Sequence, residues 1–179
     1  MTKLEELIQK LCPNGVEHKP LNEVSEMKRG TSITKKDIVE GEIPVVSGGR
    51  EPAYYCDKYN RDGETITVAG SEPVLDMFSI GQSLSLFVMR FQYREILGYK
   101  RNIYYFLTNI QDYIYSTKKG GGVPHVHISS IENVSVPVPP LPVQREIVRI
   151  LDNFTELTAE LTARKKQYAY YRDQATIYQ

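Results

Sequence analysis

Two histidines, His125 and His127, alternate in the run PHVHI, a spacing that puts both on one face of a strand. Such a pair could begin a zinc site. A site needs three or four ligands, however, and no others stand at ligand spacing. The pair therefore reads as structural, or as facing a nucleic acid. Asp57 and Asp62 could act as paired carboxylates, but both sit in segments that read as turns. Cys12 and Cys56 show neither metal nor redox spacing, and a reduced cytoplasmic setting fits them best. Lys118-Lys119-Gly120-Gly121-Gly122 has the ingredients of a phosphate loop in the wrong order for GxxxxGK[ST]. No GxGxxG after a strand, no GxSxG and no HExxH occurs. An (N/D)PP(Y/F) methyltransferase motif is missing too, because the single Pro-Pro pair, Pro139-Pro140, is followed by Leu141. The sequence predicts no catalysis, no metal and no cofactor of its own.

Positive charge is more suggestive. It comes in small clusters read as loops: Lys28-Arg29-Gly30, Lys35-Lys36, Arg50, Lys100-Arg101 and Lys118-Lys119. Several lie beside glycine, which lets the backbone approach a phosphate while the cation neutralises it. Ser, Thr, Asn and Arg in the same loops could read base edges. Ordinary solvated loops have the same composition, so the residues alone leave both readings open. The 22 basic residues are balanced by 22 acidic ones, which excludes a globally basic protein but not a basic patch.

The elements that must position these loops can be read from periodicity. A chain of 179 residues, 41% hydrophobic, suffices for one domain with an appendage. No apolar run reaches the ~18–20 residues of a membrane span, and the first residues hold no signal-peptide core. Leu4, Leu7, Ile8 and Leu11 predict a helix over residues 1–12, stopped by Pro13-Asn14-Gly15. Ile43 to Ser47 is a brief apolar run, and Thr65 to Ala69 alternates as a strand does. Residues 102–115 predict one helix, and Ile131 to Pro139 predict an edge strand. From Val143 the pattern changes. Ile147, Ile150, Phe154, Leu157, Leu161, Arg164, Tyr168, Tyr171, Ala175 and Tyr178 recur three and four apart, a heptad seam with one basic interruption. No Gly or Pro follows Pro142, so one helix of about 50 Å is expected at ~1.5 Å per residue. Such a helix cannot bury its whole stripe on the preceding domain, so it needs a partner helix. The stripe still runs at the last residue, which suggests a half-built coiled coil.

Three stretches then acquire meaning together: LEELIQKLCPNGVEHKPLNEVSEMKRG, KKDIVEGEIPVVSGG and KKGGGVPHVHISSIENVSVPVPPLPVQREIVRIL. They resemble the specificity subunit of type I restriction-modification systems, and the resemblance spans most of the chain. It implies an α+β fold: a compact target-recognition domain of short twisted strands and few helices at 1–140, then a conserved coiled-coil helix at 141–179. Relatives usually hold two such units, so this chain resembles half a subunit. The implied function is sequence-specific recognition of one half of a bipartite site on double-stranded DNA, together with docking of the methyltransferase subunits. The chain itself would not be an enzyme. S-adenosylmethionine, ATP and Mg would belong to the methyltransferase and restriction subunits. By the resemblance, the DNA-facing residues would be Lys28, Arg29, Lys35, Lys36, Ser47, Gly48, Gly49, Arg50, Lys118, Lys119 and His125. A homodimer would form through Ile147, Ile150, Phe154, Leu157, Leu161, Tyr168 and Tyr171, and its symmetry would demand a split palindrome. The protein would be cytoplasmic, with no membrane partner. The alternative is a remnant that pairs by its helix and no longer binds DNA.

Residues 72–97, EPVLDMFSIGQSLSLFVMRFQYREIL, depart from that resemblance. At this place relatives carry a Gly-aromatic stretch, a Trp-containing turn and PIF.SDAFSI, whereas Trp is absent here. Back-translation from Glu72 with free codon choice, read with one base restored in front, gives GAGFGYVFYWTIPIFVCDAFSISRN, which has the family pattern. The segment is therefore expected to be translated in a shifted frame; divergence of a variable domain is the other reading. Sequencing the codons for residues 70–100 on both strands decides between them.

Overall fold

Thr2 opens the first helix with a reciprocal cap. Its hydroxyl accepts from Glu5 N at 3.3 Å while its own N–H donates to Glu5 Oε2 at 2.6 Å. The helix, α1, runs Lys3–Leu11 and ends before Pro13, as its periodicity predicts. The computed structural model describes residues 1–28, 39–46, 52–59, 64–68, 78–82, 90–92, 100–118 and 126–177. Described further along are β1 (His18–Pro20), α2 (Leu21–Val24), β2 (Glu26–Lys28), β3 (Ile43–Val46), β4 (Pro52–Cys56), β5 (Glu64–Val68), β6 (Phe78–Gln82) and β7 (Arg90–Gln92). The last elements are α3 (Lys100–Asn109), α4 (Gln111–Ser116), α5 (Ile128–Ile131), β8 (Ser135–Pro137) and α6 (Leu141–Ile177). The fold is α+β with small antiparallel sheets, as expected.

Three sheets are present among the described residues, in the strand orders β2-β7-β5-β6, β3-β4 and β1-β8. The β3–β4 hairpin shifts register between Val45 and Val46, so Ala53 has no partner. Gly41 lies against the Cys56 carbonyl, where an added Cβ would collide with backbone. In the third sheet His18, Lys19 and Pro20 face Pro137, Val136 and Ser135, and Val138 N extends the ladder to Glu17 O at 2.8 Å. This ribbon closes the domain by tying its first strand to its last.

The core gathers Leu21 and Val24 of α2, Ile66 of β5, Ile103 and Leu107 of α3, Ile114 of α4, and Val126, Ile131 and Val136. Two expectations need correction. The single helix predicted over 102–115 is two. Ile110 leaves helical geometry at φ −103° and ψ 16°, and its N–H is shared between the Phe106 and Leu107 carbonyls, each at 3.2 Å. The strand predicted from Ile131 to Pro139 shrinks to Ser135–Pro137. Its partner β1 has only three residues before α2 begins, and the segment ahead of it closes a helical turn, with Glu132 N on Ile128 O at 2.9 Å. Of the segment expected to be frame-shifted, β6 and β7 are described. Residues 72–77, 83–89 and 93–97 lie outside the described residues.

The long helix begins at Leu141. Pro142 in its first turn lacks an N–H that would have had no intrahelical acceptor, so it starts the helix without loss. The Pro140 carbonyl receives Val143 N at 2.9 Å and Gln144 N at 3.2 Å. At 37 residues the helix is about 55 Å long. No described helix is long and apolar enough to cross a membrane.

Candidate nucleic-acid interface and helix seam

Strand pairing places one sequence-predicted cation in unexpected company. Lys28 closes β2, and its register partner is Arg90 of β7. Arg90 pairs onward with Thr67 of β5, and Thr67 with Ser79 of β6. One polar row thus crosses the four-stranded sheet. The neighbouring row is apolar, Met27, Phe91, Ile66 and Ile80; in it Ile66 is buried and Met27 packs on the core. Sequence reasoning missed Arg90. Its only signal is a pairing between distant segments, which periodicity does not reveal.

Lys118 follows α4, where Thr117 Oγ1 donates to Ile114 O at 2.7 Å and ends the helix. The Lys118 ammonium sits 3.6 Å from the centroid of the Tyr115 ring, a cation–π contact. The remaining predicted DNA-facing residues, Arg29, Lys35, Lys36, Ser47, Gly48, Gly49, Arg50, Lys119 and His125, lie outside the described residues. His127, half-buried, precedes α5 in an extended conformation. Among the described residues no three His, Cys, Asp or Glu side chains are grouped to hold a metal.

The Lys100-Arg101 cluster is not a phosphate-binding loop. These residues open α3, and Arg101 is committed to α6: its Nε and Nη2 donate to Asp152 Oδ1 at 3.1 and 2.7 Å. The Tyr105 hydroxyl donates to the same oxygen at 2.5 Å and lies 3.3 Å from Thr155 Oγ1. Burial works against the Arg101 charge, yet hydrogen bonding to Tyr105 and Asp152 outweighs it and raises the guanidinium pKa further. Tyr105 is also pushed up, first by burial and then by its bond to Asp152.

The predicted seam divides in two. Ile147 and Ile150 are half-buried against the domain, close to buried Val143 and Val148. Phe154, Leu157, Leu161, Tyr168 and Tyr171 are each more than half exposed on the free part of the helix. Five large apolar side chains on one helical face in water are the signature of an interface.

A second anchor holds the helix base. Glu146, only 4% exposed, receives Arg149 Nη2 at 2.7 Å and Lys3 Nζ of α1 at 2.8 Å. Those bonds, Arg149 first and Lys3 second, hold its pKa down to about 2. A depressed carboxylate contributes its full stability above the unfolded pKa of about 4.5 and loses it as pH falls toward 2. The melting-temperature gap between the native chain and Glu146→Gln should be open at pH 7 and close below pH 4.5. A gap independent of pH would mean the ion pair is not what Glu146 supplies.

Comparison with known proteins gives a consistent result. The family model described as the type I restriction modification DNA specificity domain matches residues 13–169. A protein of Haemophilus influenzae named as a type I restriction enzyme specificity subunit is 30% identical over 191 residues, covering 96% of this chain and 48% of its own length. The EcoR124I/EcoR124II specificity subunit of Escherichia coli is 30% identical over 202 residues, covering 97% of this chain and 47% of its own. The chain thus spans about half the length of these curated relatives. Among solved structures, the type I S subunit of M. genitalium superposes with a TM-score of 0.64 at 20% identity, over 84% of this chain and 42% of that one. The HsdS subunit of Thermoanaerobacter tengcongensis gives 0.61 at 21% identity, over 88% and 44%. At such identities these two likenesses speak for the fold. With the family model matching most of its length, the chain belongs to the type I restriction-modification DNA specificity family.

Proposed function

We propose that this chain recognises one half of a bipartite sequence in double-stranded DNA and carries that recognition into a type I restriction-modification complex. Residues 1–140 form the recognition domain. Residues 141–179 make up the unit whose helix, α6, pairs with a second copy and docks the methyltransferase subunits, with the restriction subunit joining that assembly in the cytoplasm. The chain performs no chemistry itself. S-adenosylmethionine, ATP and Mg are bound by the partners. The observation that carries the reading is the helix α6: anchored at its base, then free, with Phe154, Leu157, Leu161, Tyr168 and Tyr171 uncovered. A symmetric pair built on that face reads two identical half-sites, so the target is a split palindrome.

Co-expression with a type I methyltransferase subunit, followed by long-read mapping of N6-methyladenine, tests this. A split palindromic motif is the expected result, and an asymmetric motif would sink the symmetric pairing. A paired chain that binds no DNA and yields no motif would be the coiled-coil remnant. The frame-repaired sequence run alongside separates a lesion in residues 72–97 from a wrong functional reading.

The phosphate contacts have their own signature. Lys118→Ala with Lys119→Ala should weaken binding to all sequences alike and flatten the salt dependence by about two powers, at roughly 0.9 per phosphate. Pairing should be untouched. Binding titrations across a salt series measure this, and an unchanged slope would remove both lysines from the interface.

A further inference from the structure

We infer that the Arg101–Tyr105–Asp152 cluster is the positioning element that fixes how many base pairs separate the two half-sites. The inference rests on the functional reading above and adds a residue-level determinant to it. Asp152 Oδ1 accepts three hydrogen bonds from α3, two from Arg101 and one from Tyr105. The two donor residues are one helical turn apart, on a helix held in the core by Ile103 and Leu107. Asp152 also stands where the domain lets go: from Asn153 to Tyr168 every residue of α6 is exposed, although the Tyr105 hydroxyl still reaches Thr155 Oγ1 at 3.3 Å. The cluster therefore stands at the pivot of a free lever.

The lever is long. From Asp152 to Ile177 the helix runs about 38 Å at ~1.5 Å per residue. A tilt of about 10° at the pivot moves the far end by roughly 6–7 Å, or about two base pairs at ~3.4 Å per step. A protein that reads two half-sites at one spacing must hold this angle to a few degrees. The apolar contacts at the base, Val143 and Val148, are non-directional and allow the helix to roll. Charge-assisted hydrogen bonds to one oxygen have direction and do not. The Lys3–Glu146 pair lies six residues before Asp152 and away from the pivot, and its Lys3 side chain is 69% exposed. It secures α1 more than it aims the lever.

The test uses the full chain with Asp152→Ala, and with Tyr105→Phe as the milder change should the first fail to fold. Spin labels at Asn133→Cys and Lys165→Cys, diluted with unlabelled chain, report the angle directly. A narrow distance distribution in the parent and a broadened one in the variants is expected. In the methylation assay the variants should keep the same half-site bases and accept spacers one or two base pairs shorter and longer. A merely stabilising cluster would lower methylation without altering spacer length. A distribution as narrow in Asp152→Ala as in the parent overturns the pivot. A loosened helix with a single unchanged spacer overturns the link to spacing. If the parent yields no motif while the distances behave as expected, the functional reading fails and the spacing claim fails with it. The distance result still stands on its own.

Discussion

Leu157→Glu is expected to dissociate paired chains while leaving the recognition domain folded. Leu157 is 59% exposed in the single chain, flanked on its face by Phe154 at 62% and Leu161 at 53%. Burying a leucine in a helix seam contributes ~1.5–3 kcal/mol. A carboxylate in its place loses that and adds a desolvation cost of several kcal/mol per buried ion. A net loss of about 4 kcal/mol raises the dissociation constant roughly 10³-fold. Sedimentation of native chain and variant at matched concentration measures this, with circular dichroism as the control for folding. A variant that still sediments as a dimer would move the pairing surface off this face. Because the proposed split motif needs two copies, the same substitution should erase it.

Leu107→Ala is expected to be the most damaging single truncation in the core. Leu107 is fully buried, packed among Ile103, Ile114 and the rest of the core cluster. Leu→Ala at such sites costs about 2–5 kcal/mol, against a typical total of ~5–15 kcal/mol. For a chain of this length that lowers the melting temperature by roughly 5–20 °C. The effect should reach beyond stability, because the same helix carries Arg101 and Tyr105 to Asp152. Melting within a degree or two of the native chain would show that the core can close over the gap.

Local periodicity made several elements readable in advance. The three-and-four spacing after Val143 announced α6, since a helix writes its exposed and buried faces into its own sequence. Thr65 to Ala69 announced β5 by alternation, one residue past the strand's last described position, Val68, and Leu4 to Leu11 announced α1. What failed was non-local. Nothing near Ile110 marks a helix break, because the residue keeps an apolar position in the pattern while its backbone departs. The length of β8 was set by a partner strand at the other end of the domain. Arg101 looked like any loop cation, and Asp152 like any helix charge. Their meaning appears only when α3 lies along α6. Arg90 opposite Lys28 is hidden for the same reason. Family resemblance supplied the function; the residues alone favoured ordinary solvated loops.

The ribbon of β1 and β8 has an evolutionary consequence. It brings His18 beside Pro137, so nearly the whole recognition domain is a loop excursion from one stitched pair of strands. The scaffold outside the stitch, α1 and α6, is joined by its own contact between Lys3 and Glu146. Recombination that exchanges the segment between the two strands would therefore deliver a new specificity into an unchanged frame, as a cassette. Such exchange keeps α6 itself, but the incoming segment has to match the three paired positions on each strand and to supply donors for Asp152 in place of Arg101 and Tyr105.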